Sequence, residues 1–365
     1  MVIKKVIAIV LILVFISSYS FATVPEIKAE SAILMDAKSG RILYSFNPHE
    51  KLPMASTTKI MTALIAIEEG DMEDIVEIGK ESVGIEGSSI YLYENEKISL
   101  KDLLYGLMLR SGNDASVAIG NYIGGDLKKF INMMNDKAKD IGAINTSFVN
   151  PNGLDAENHY TTAYDLALIT REALKHEKFK EIVKTKIYIA NRDKNNYFYN
   201  KNKTLWQYEG GDGVKIGYTK RSGRCLVSSA TREGMQIIAI VLNDGDWFND
   251  CYKMLDYGFE NYSSHIIYDI GQFVSNVKVI NGELDFLPVV VDDLCVLPLK
   301  ENEKEKIKIS TKLPDEIQAP IKIGDKIGKI SVYLDGELLY TSNLISKYEV
   351  KEISYFKRIL KSLKN

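Results

Sequence analysis

At 365 residues the chain is long enough for two domains. Its composition, 45% hydrophobic and 26% charged, is that of a folded protein, and a formal net charge of −3 gives no support to a general nucleic-acid role. The three cysteines (Cys225, Cys251, Cys295) are odd in number and form no CxxC pair, and the four histidines (His49, His159, His176, His265) contain no HExxH, so neither a disulfide framework nor a metal site is expected.

Lys4 and Lys5 precede an apolar run from Val6 to Ile16 and the small-residue pattern Ser20-Phe21-Ala22. This reads as a secretory signal peptide over residues 1–22; the alternative, an uncleaved membrane anchor, is disfavoured by the shortness of the run. Either way the protein is expected to be exported. Residues 31–46 alternate and predict a hairpin around Lys38-Ser39-Gly40. From Ser56 the period becomes helical, through Ile60, Met61, Leu64 and Ile65 to Gly70. Further helices are expected at about 100–109, 114–123, 127–141 and 162–175. Strands follow at about 212–219, 224–231 and 235–242, the last two joined at Glu233-Gly234, and a helix at about 247–261. Such segregation predicts an α+β domain over 25–262, an antiparallel sheet with a helical cluster. Residues 265–347 read as a small all-β domain, a β-sandwich, with turns at Asn281-Gly282, Gly324-Asp325 and Asp335-Gly336. In residues 350–365, Ile353, Phe356, Ile359, Leu360 and Leu363 fall at helical spacing beside five cations and one acid. That pattern predicts a basic amphipathic helix suited to an anionic membrane surface; a helix docked on the β-domain or a frayed tail would account for it as well.

Three short motifs carry chemistry. Ser56-Thr57-Thr58-Lys59 starts a helix, and the three-residue spacing puts serine and lysine on one face. Serine is a weak nucleophile until a base takes its proton, and lysine can be that base only if burial or a second cation lowers its pKa. Alone the motif is also what an N-cap serine and a solvated lysine look like. Ser111-Gly112-Asn113 lies between two helical patterns, where a loop can project a hydroxyl and an amide into a cleft, or simply cap the second helix. In the strand Gly213–Thr219, alternation puts Lys215, Gly217 and Thr219 on one face and Val214, Ile216 and Tyr218 on the other. Gly217 would let another backbone approach, and Lys215 would supply positive charge. Each motif has a plain structural explanation; their joint occurrence in this order does not.

With these motifs the chain resembles the D-alanyl-D-alanine carboxypeptidases, the serine-type low-molecular-mass penicillin-binding proteins. The resemblance also covers Pro53–Thr62, Asp102–Ser116, Asn150–Leu154, His159–Ala167 and Asp256–Phe259. It implies a β-lactamase/transpeptidase-like domain and an acyl-enzyme on Ser56, with Lys59 accepting its proton and Ser111 relaying a proton to the departing D-alanine. Asn113, Lys215, Gly217, Tyr218 and Thr219 are then substrate-binding, with the backbone N–H groups of Ser56 and Tyr218 as the oxyanion hole. The implied partners are the peptidoglycan stem peptide and β-lactams as covalent inhibitors, with no cofactor. Ile216 departs from the family's usual threonine. The lost hydroxyl predicts carboxylate recognition weakened on the order of tenfold to a hundredfold. The alternative to an active carboxypeptidase is therefore a weakened or inactive homologue with a wall-binding or scaffold role. A class A β-lactamase would share the trio but needs a further glutamate that no segment supplies, and no GxSxG elbow points to a histidine-based hydrolase.

Overall fold

The structure is a computed structural model that describes residues 24–355 and Lys357. The expected signal peptide and most of the expected C-terminal helix lie outside the described residues.

Strands β1 (Ser31–Asp36) and β2 (Ile42–Phe46) form the expected hairpin. They join β7 (Gly211–Thr219), β8 (Gly223–Arg232) and β9 (Met235–Leu242) in one antiparallel sheet of order β2-β1-β9-β8-β7. The β8–β9 turn at Glu233-Gly234 has φ of 48° and 79°, the left-handed pair that a two-residue hairpin requires. Between β2 and β7 lie the helices α1 (Lys59–Glu69), α2 (Leu100–Leu109), α3 (Asn113–Gly124), α4 (Leu127–Asp140), α5 (Ala163–Ala173), α6 (Glu177–Lys184) and α7 (Thr204–Gln207). Short strand pairs interrupt them: β3 (Ile75–Glu77) with β4 (Lys97–Ser99), and β5 (Ile187–Ile189) with β6 (Tyr197–Tyr199). Helix α8 (Trp247–Asn261) follows β9.

The sheet separates two cores. On one face Ile33, Met35, Val227, Ile238 and Ile240 pack against α1, α2 and α5 through Leu64, Leu103 and Leu166. On the other, Leu34, Leu226, Ile237, Ala239 and Val241 meet Cys251, Met254 and Leu255 of α8. Period-2 alternation along β8 and β9 produces both faces at once, because both are covered. Cys225 is buried in this sheet, and all three cysteines are buried and free.

The remaining strands are β10 (Ser263–Tyr268), β11 (Phe273–Ile280), β12 (Phe286–Val291), β13 (Cys295–Leu299), β14 (Ile307–Lys312), β15 (Glu316–Gln318), β16 (Lys326–Leu334) and β17 (Glu337–Ser346). They form a six-stranded sheet, β14-β16-β17-β12-β11-β15, around Leu287, Val289, Ile330 and Leu344, and the β10–β13 pair, whose Leu297 and Leu299 pack with Val332. The chain stays extended past β17. Val350, 1% exposed, bridges to Ile321, and Glu352 bridges to Gly282. The first residues assigned from sequence to a helix over 350–365 thus belong to the β-domain, because Val350 fills its core. Arg41, in the β1–β2 turn, ties the domains together: its guanidinium makes two 2.8 Å bonds to the Glu303 carboxylate and lies 5.2 Å over the Tyr262 ring. Among the described residues no helix is long and apolar enough to cross a membrane.

Candidate active site

The helix expected from Ser56 begins one turn later. Ala55–Thr58 form a 3₁₀ turn, and α1 starts at Lys59. Ala55 is held at φ 47°, a costly conformation for a residue with a Cβ. Side-chain bonds inside the turn sustain it: Thr57 Oγ1 donates to Met54 O (2.6 Å) and Thr58 Oγ1 to Ala55 O (2.8 Å). Ser56 is thereby presented above the first turn of α1.

Lys59 is fully buried, and its Nζ has three neighbours: Asn113 Oδ1 at 2.7 Å, the Asn152 carbonyl at 2.5 Å and Ser56 Oγ at 3.0 Å. The first two can only accept. Asn113 is fixed in that orientation because its Nδ2 donates to Glu86 O (2.6 Å). A neutral amine has two N–H groups and one lone pair. In that neutral form, with both N–H groups taken by fixed oxygens, the lone pair would face Ser56 Oγ, the geometry that general-base catalysis requires. Burial, and after it the Lys215 ammonium, hold the Lys59 amine well below its usual pKa; Asp114 opposes them. Both routes anticipated from sequence operate, burial being the larger.

Ser111 and Gly112 occupy the loop between α2 and α3, as expected. Ser111 is 6% exposed with φ 63°, and Gly112 N-caps α3. Asp114, in the first turn of α3, ties that helix start to residues 89–92, accepting from Ser89 Oγ (2.5 Å) and from the backbone of Ile90 and Leu92 (both 3.1 Å). Asn113, expected to face substrate, is engaged at both ends of its amide, by Lys59 and by Glu86.

On β7, Lys215 is 2% exposed and burial lowers its pKa to about 7, helped by Lys201. Gly217 abuts Ser56: a Cβ there would sit 2.9 Å from Ser56 N and 3.0 Å from Ala55 Cβ. Tyr218 is exposed, while Thr219 ends the strand with its hydroxyl on Asp155 (2.7 Å) and Ser222 (2.9 Å). Ile216 is partly buried. It pairs with Leu226 and packs against the α8-side cluster, on the sheet face opposite Ser56. That packing lends no support to the weakening argued from a lost hydroxyl. Val214 also departs from strict alternation, packing with the helical-side core.

Residue type alone does not single out the Asn152 carbonyl or Lys201, and it marks His159 only as one scattered histidine within a shared segment. A backbone acceptor leaves no mark in the sequence beyond the string Asn150–Leu154; Gly153 (φ 86°) is required there because a Cβ would collide with the Ala55 carbonyl. Among the described residues Glu68, Glu172 and His176 stand close enough to share a metal ion, but the Lys137 ammonium already neutralises Glu68 at 2.6 Å. The site itself is built from amines, hydroxyls and amides, the donor set of acyl transfer rather than of metal binding.

Comparison with known proteins agrees with this chemistry. Residues 19–246 match the family described as D-alanyl-D-alanine carboxypeptidase, and residues 262–352 match the C-terminal domain of penicillin-binding protein 5. The D-alanyl-D-alanine carboxypeptidase DacF of Bacillus subtilis is 37% identical over 347 residues, covering 91% of this chain and 89% of the relative. DacA of Haemophilus influenzae is 32% identical, with coverage of 92% and 89%. The crystal structure of penicillin-binding protein 5 from Haemophilus influenzae superimposes with a TM-score of 0.77 at 31% identity, covering 90% of this chain and 99% of that one.

Proposed function

Since the chain belongs to the D-alanyl-D-alanine carboxypeptidase family and is a serine-type carboxypeptidase, we propose that Ser56, Lys59 and Ser111 carry its reaction. Ser56 Oγ attacks the carbonyl of the terminal D-Ala-D-Ala bond of a peptidoglycan stem peptide while its proton passes to the lone pair of Lys59 Nζ. The backbone N–H groups of Ser56 and Tyr218 receive the oxyanion. The C–N bond then breaks, and the proton travels from Lys59 through the Ser111 hydroxyl to the departing amine of D-alanine. Water adds to the acyl-enzyme, returns a proton to Ser56 and leaves a peptide one D-alanine shorter. Lys215 faces the substrate's terminal carboxylate; Asn113, Gly217, Tyr218 and Thr219 flank the peptide, Gly217 by letting β7 lie against the nucleophile turn. Penicillins enter the same sequence and stop at the acyl-enzyme.

The observation that carries this reading is the Lys59 amine, buried, with two fixed acceptors and the Ser56 hydroxyl as its third neighbour. Intact-mass analysis with benzylpenicillin tests it. The wild-type protein should gain one penicilloyl group and Ser56→Ala none; an adduct on the variant would refute Ser56 as nucleophile.

The same reading extends to location. The apolar leader at residues 1–22 supports export, and the basic amphipathic pattern at 350–365 supports a peripheral position on the outer face of the cytoplasmic membrane. Residues 25–262 would be the catalytic unit and 265–347 the β-domain that separates it from that surface. Co-sedimentation of the exported protein with anionic vesicles, lost on deleting residues 354–365, which leaves Val350 in the β-domain core, is the expected result.

A further inference from the structure

The nucleophile turn and the Asn152 carbonyl come from segments nearly a hundred residues apart, and acyl transfer needs them in register to a few tenths of an ångström. One buried side chain spans both. His159, 5% exposed, has its Nε2 2.9 Å from Thr58 Oγ1 and its Nδ1 3.1 Å from the Val149 backbone N–H. The N–H of Val149 can only donate, so Nδ1 carries no proton and the ring proton sits on Nε2. Nε2–H therefore donates to Thr58 Oγ1, whose own proton is committed to Ala55 O at 2.8 Å. The direction of every bond in this relay follows from that single backbone donor. At one end it grips the carbonyl of Ala55, the left-handed residue before the nucleophile. At the other it holds Val149, three residues before the Asn152 carbonyl on Lys59.

We propose that His159, with its proton on Nε2, is a positioning residue for acylation, a strut that aligns the Ser56 turn with the segment whose Asn152 carbonyl orients Lys59. This rests on Ser56 and Lys59 acting as stated above. The surroundings keep the ring in place and neutral. Phe148 meets it edge-on at 6.0 Å, and burial lowers its pKa to about 4 against the opposing pull of Asp155, with Lys59 adding to the depression. A proton on Nδ1 would break the bond to Val149 and set a second cation beside Lys59.

The test measures benzylpenicillin acylation of the full chain by intact mass at several concentrations, separating the limiting rate from the concentration that half-saturates it. His159→Ala and Thr58→Val should each lower the limiting rate at least tenfold while changing half-saturation less than threefold, and the double variant should be no slower than the worse single. His159→Gln, whose Nε2–H can still reach Thr58, should regain at least a third of the wild-type rate. Wild-type rates in folded His159→Ala, or losses that multiply in the double variant, would overturn the strut. Should His159→Ala not fold, ¹⁵N imidazole shifts of the wild-type protein decide: a proton on Nε2 is expected, and a proton on Nδ1 overturns the proposal. Ser56→Ala is the control that separates the two readings, since an adduct on it would mean that the nucleophile assignment has failed and the strut with it.

Discussion

Gly217→Ala is the sharpest probe of the site, because it adds one methyl group and removes nothing. The new Cβ would lie 2.9 Å from Ser56 N, 3.0 Å from Ala55 Cβ and 3.2 Å from Met54 O. An ordinary contact needs about 3.4 Å or more, so β7 and the turn must separate by about 0.5 Å. The turn has little room to retreat, because Gly153 packs against the Ala55 carbonyl from another side and Thr58 ties that carbonyl inward. The strand therefore gives, carrying the Tyr218 N–H and Lys215 away from Ser56. Misplacement by 1 Å costs on the order of a hundredfold, so half of that costs about tenfold, or about 1.4 kcal/mol in the barrier. Alanine suits an extended strand at least as well as glycine, so the melting temperature should hold. The assay is the second-order rate of penicilloyl-adduct formation, followed by D-alanine release from a peptide ending in D-Ala-D-Ala. A folded variant that acylates within twofold of wild type would refute the claim that strand and nucleophile turn are seated at the closest approach a glycine permits.

The other predictions concern charge, face and anchoring. Replacing Lys215 with Gln removes the second-largest cause of the Lys59 depression, so the Lys59 pKa rises; because Lys59 must be neutral to act, the acid limb of the acylation profile should move to higher pH. Lys215 itself is lowered from 10.5 to about 7, so the unfolded chain binds more protons between those values and stability rises with pH across that window. Lys215→Met should thus stabilise the fold at pH 6 by a few kcal/mol more than at pH 10, measured as urea midpoints. Ile216→Thr should leave acylation within about threefold and cost about 1 kcal/mol, since it trims a partly buried side chain packed against the α8-side core; a gain of tenfold or more in turnover would support the carboxylate argument. Gly153→Ala should abolish acylation and destabilise the catalytic domain by roughly 2–4 kcal/mol through the Ala55 clash and the left-handed φ, read by thermal melts. Arg41→Ala should leave penicillin acylation unchanged yet open the domain junction to proteolysis near residues 262–263.

What can be read from sequence is whatever depends on residue type and period. Lys59 three residues after Ser56, the loop serine at 111, and Lys215 and Gly217 on one face of β7 all follow from spacing, and the periodic pattern of α8 ends where the helix does. The weak points are elements too short for a period to show. Helix α6 has only Phe179, Ile182 and Val183 on its buried face, and the strands of the β5–β6 pair are three residues each. Ile216 shows a different failure. Alternation sets it on the face away from Lys215, yet the lost-hydroxyl argument treats it as though it faced the substrate. The Asn152 carbonyl is out of reach in principle, since any residue offers the same oxygen and only the fold says which one meets Lys59. His159 lies in plain view without a role, because its tautomer depends on a single backbone N–H from Val149 that only the structure supplies.

Two buried amines facing one cleft would ordinarily be a liability, and their different neighbours turn the arrangement to use. Burial lowers both; after burial Lys59 is lowered by the Lys215 cation beside it and raised by Asp114, while Lys215 is lowered by Lys201. In the proposed reaction the proton that the pair holds sits on Lys215. That leaves Lys215 charged for a carboxylate and Lys59 neutral for the serine, two roles from one residue type separated by position alone. If Ser56 attacks as proposed, its proton makes Lys59 a second buried ammonium next to Lys215. Asp114 eases that state without cancelling it. The repulsion makes Lys59 a poor resting place for the proton, so the arrangement favours its onward transfer to the departing amine over its return to serine. A substrate carboxylate on Lys215 would soften the repulsion, which ties proton acceptance by Lys59 to occupancy by a chain that ends in a carboxylate.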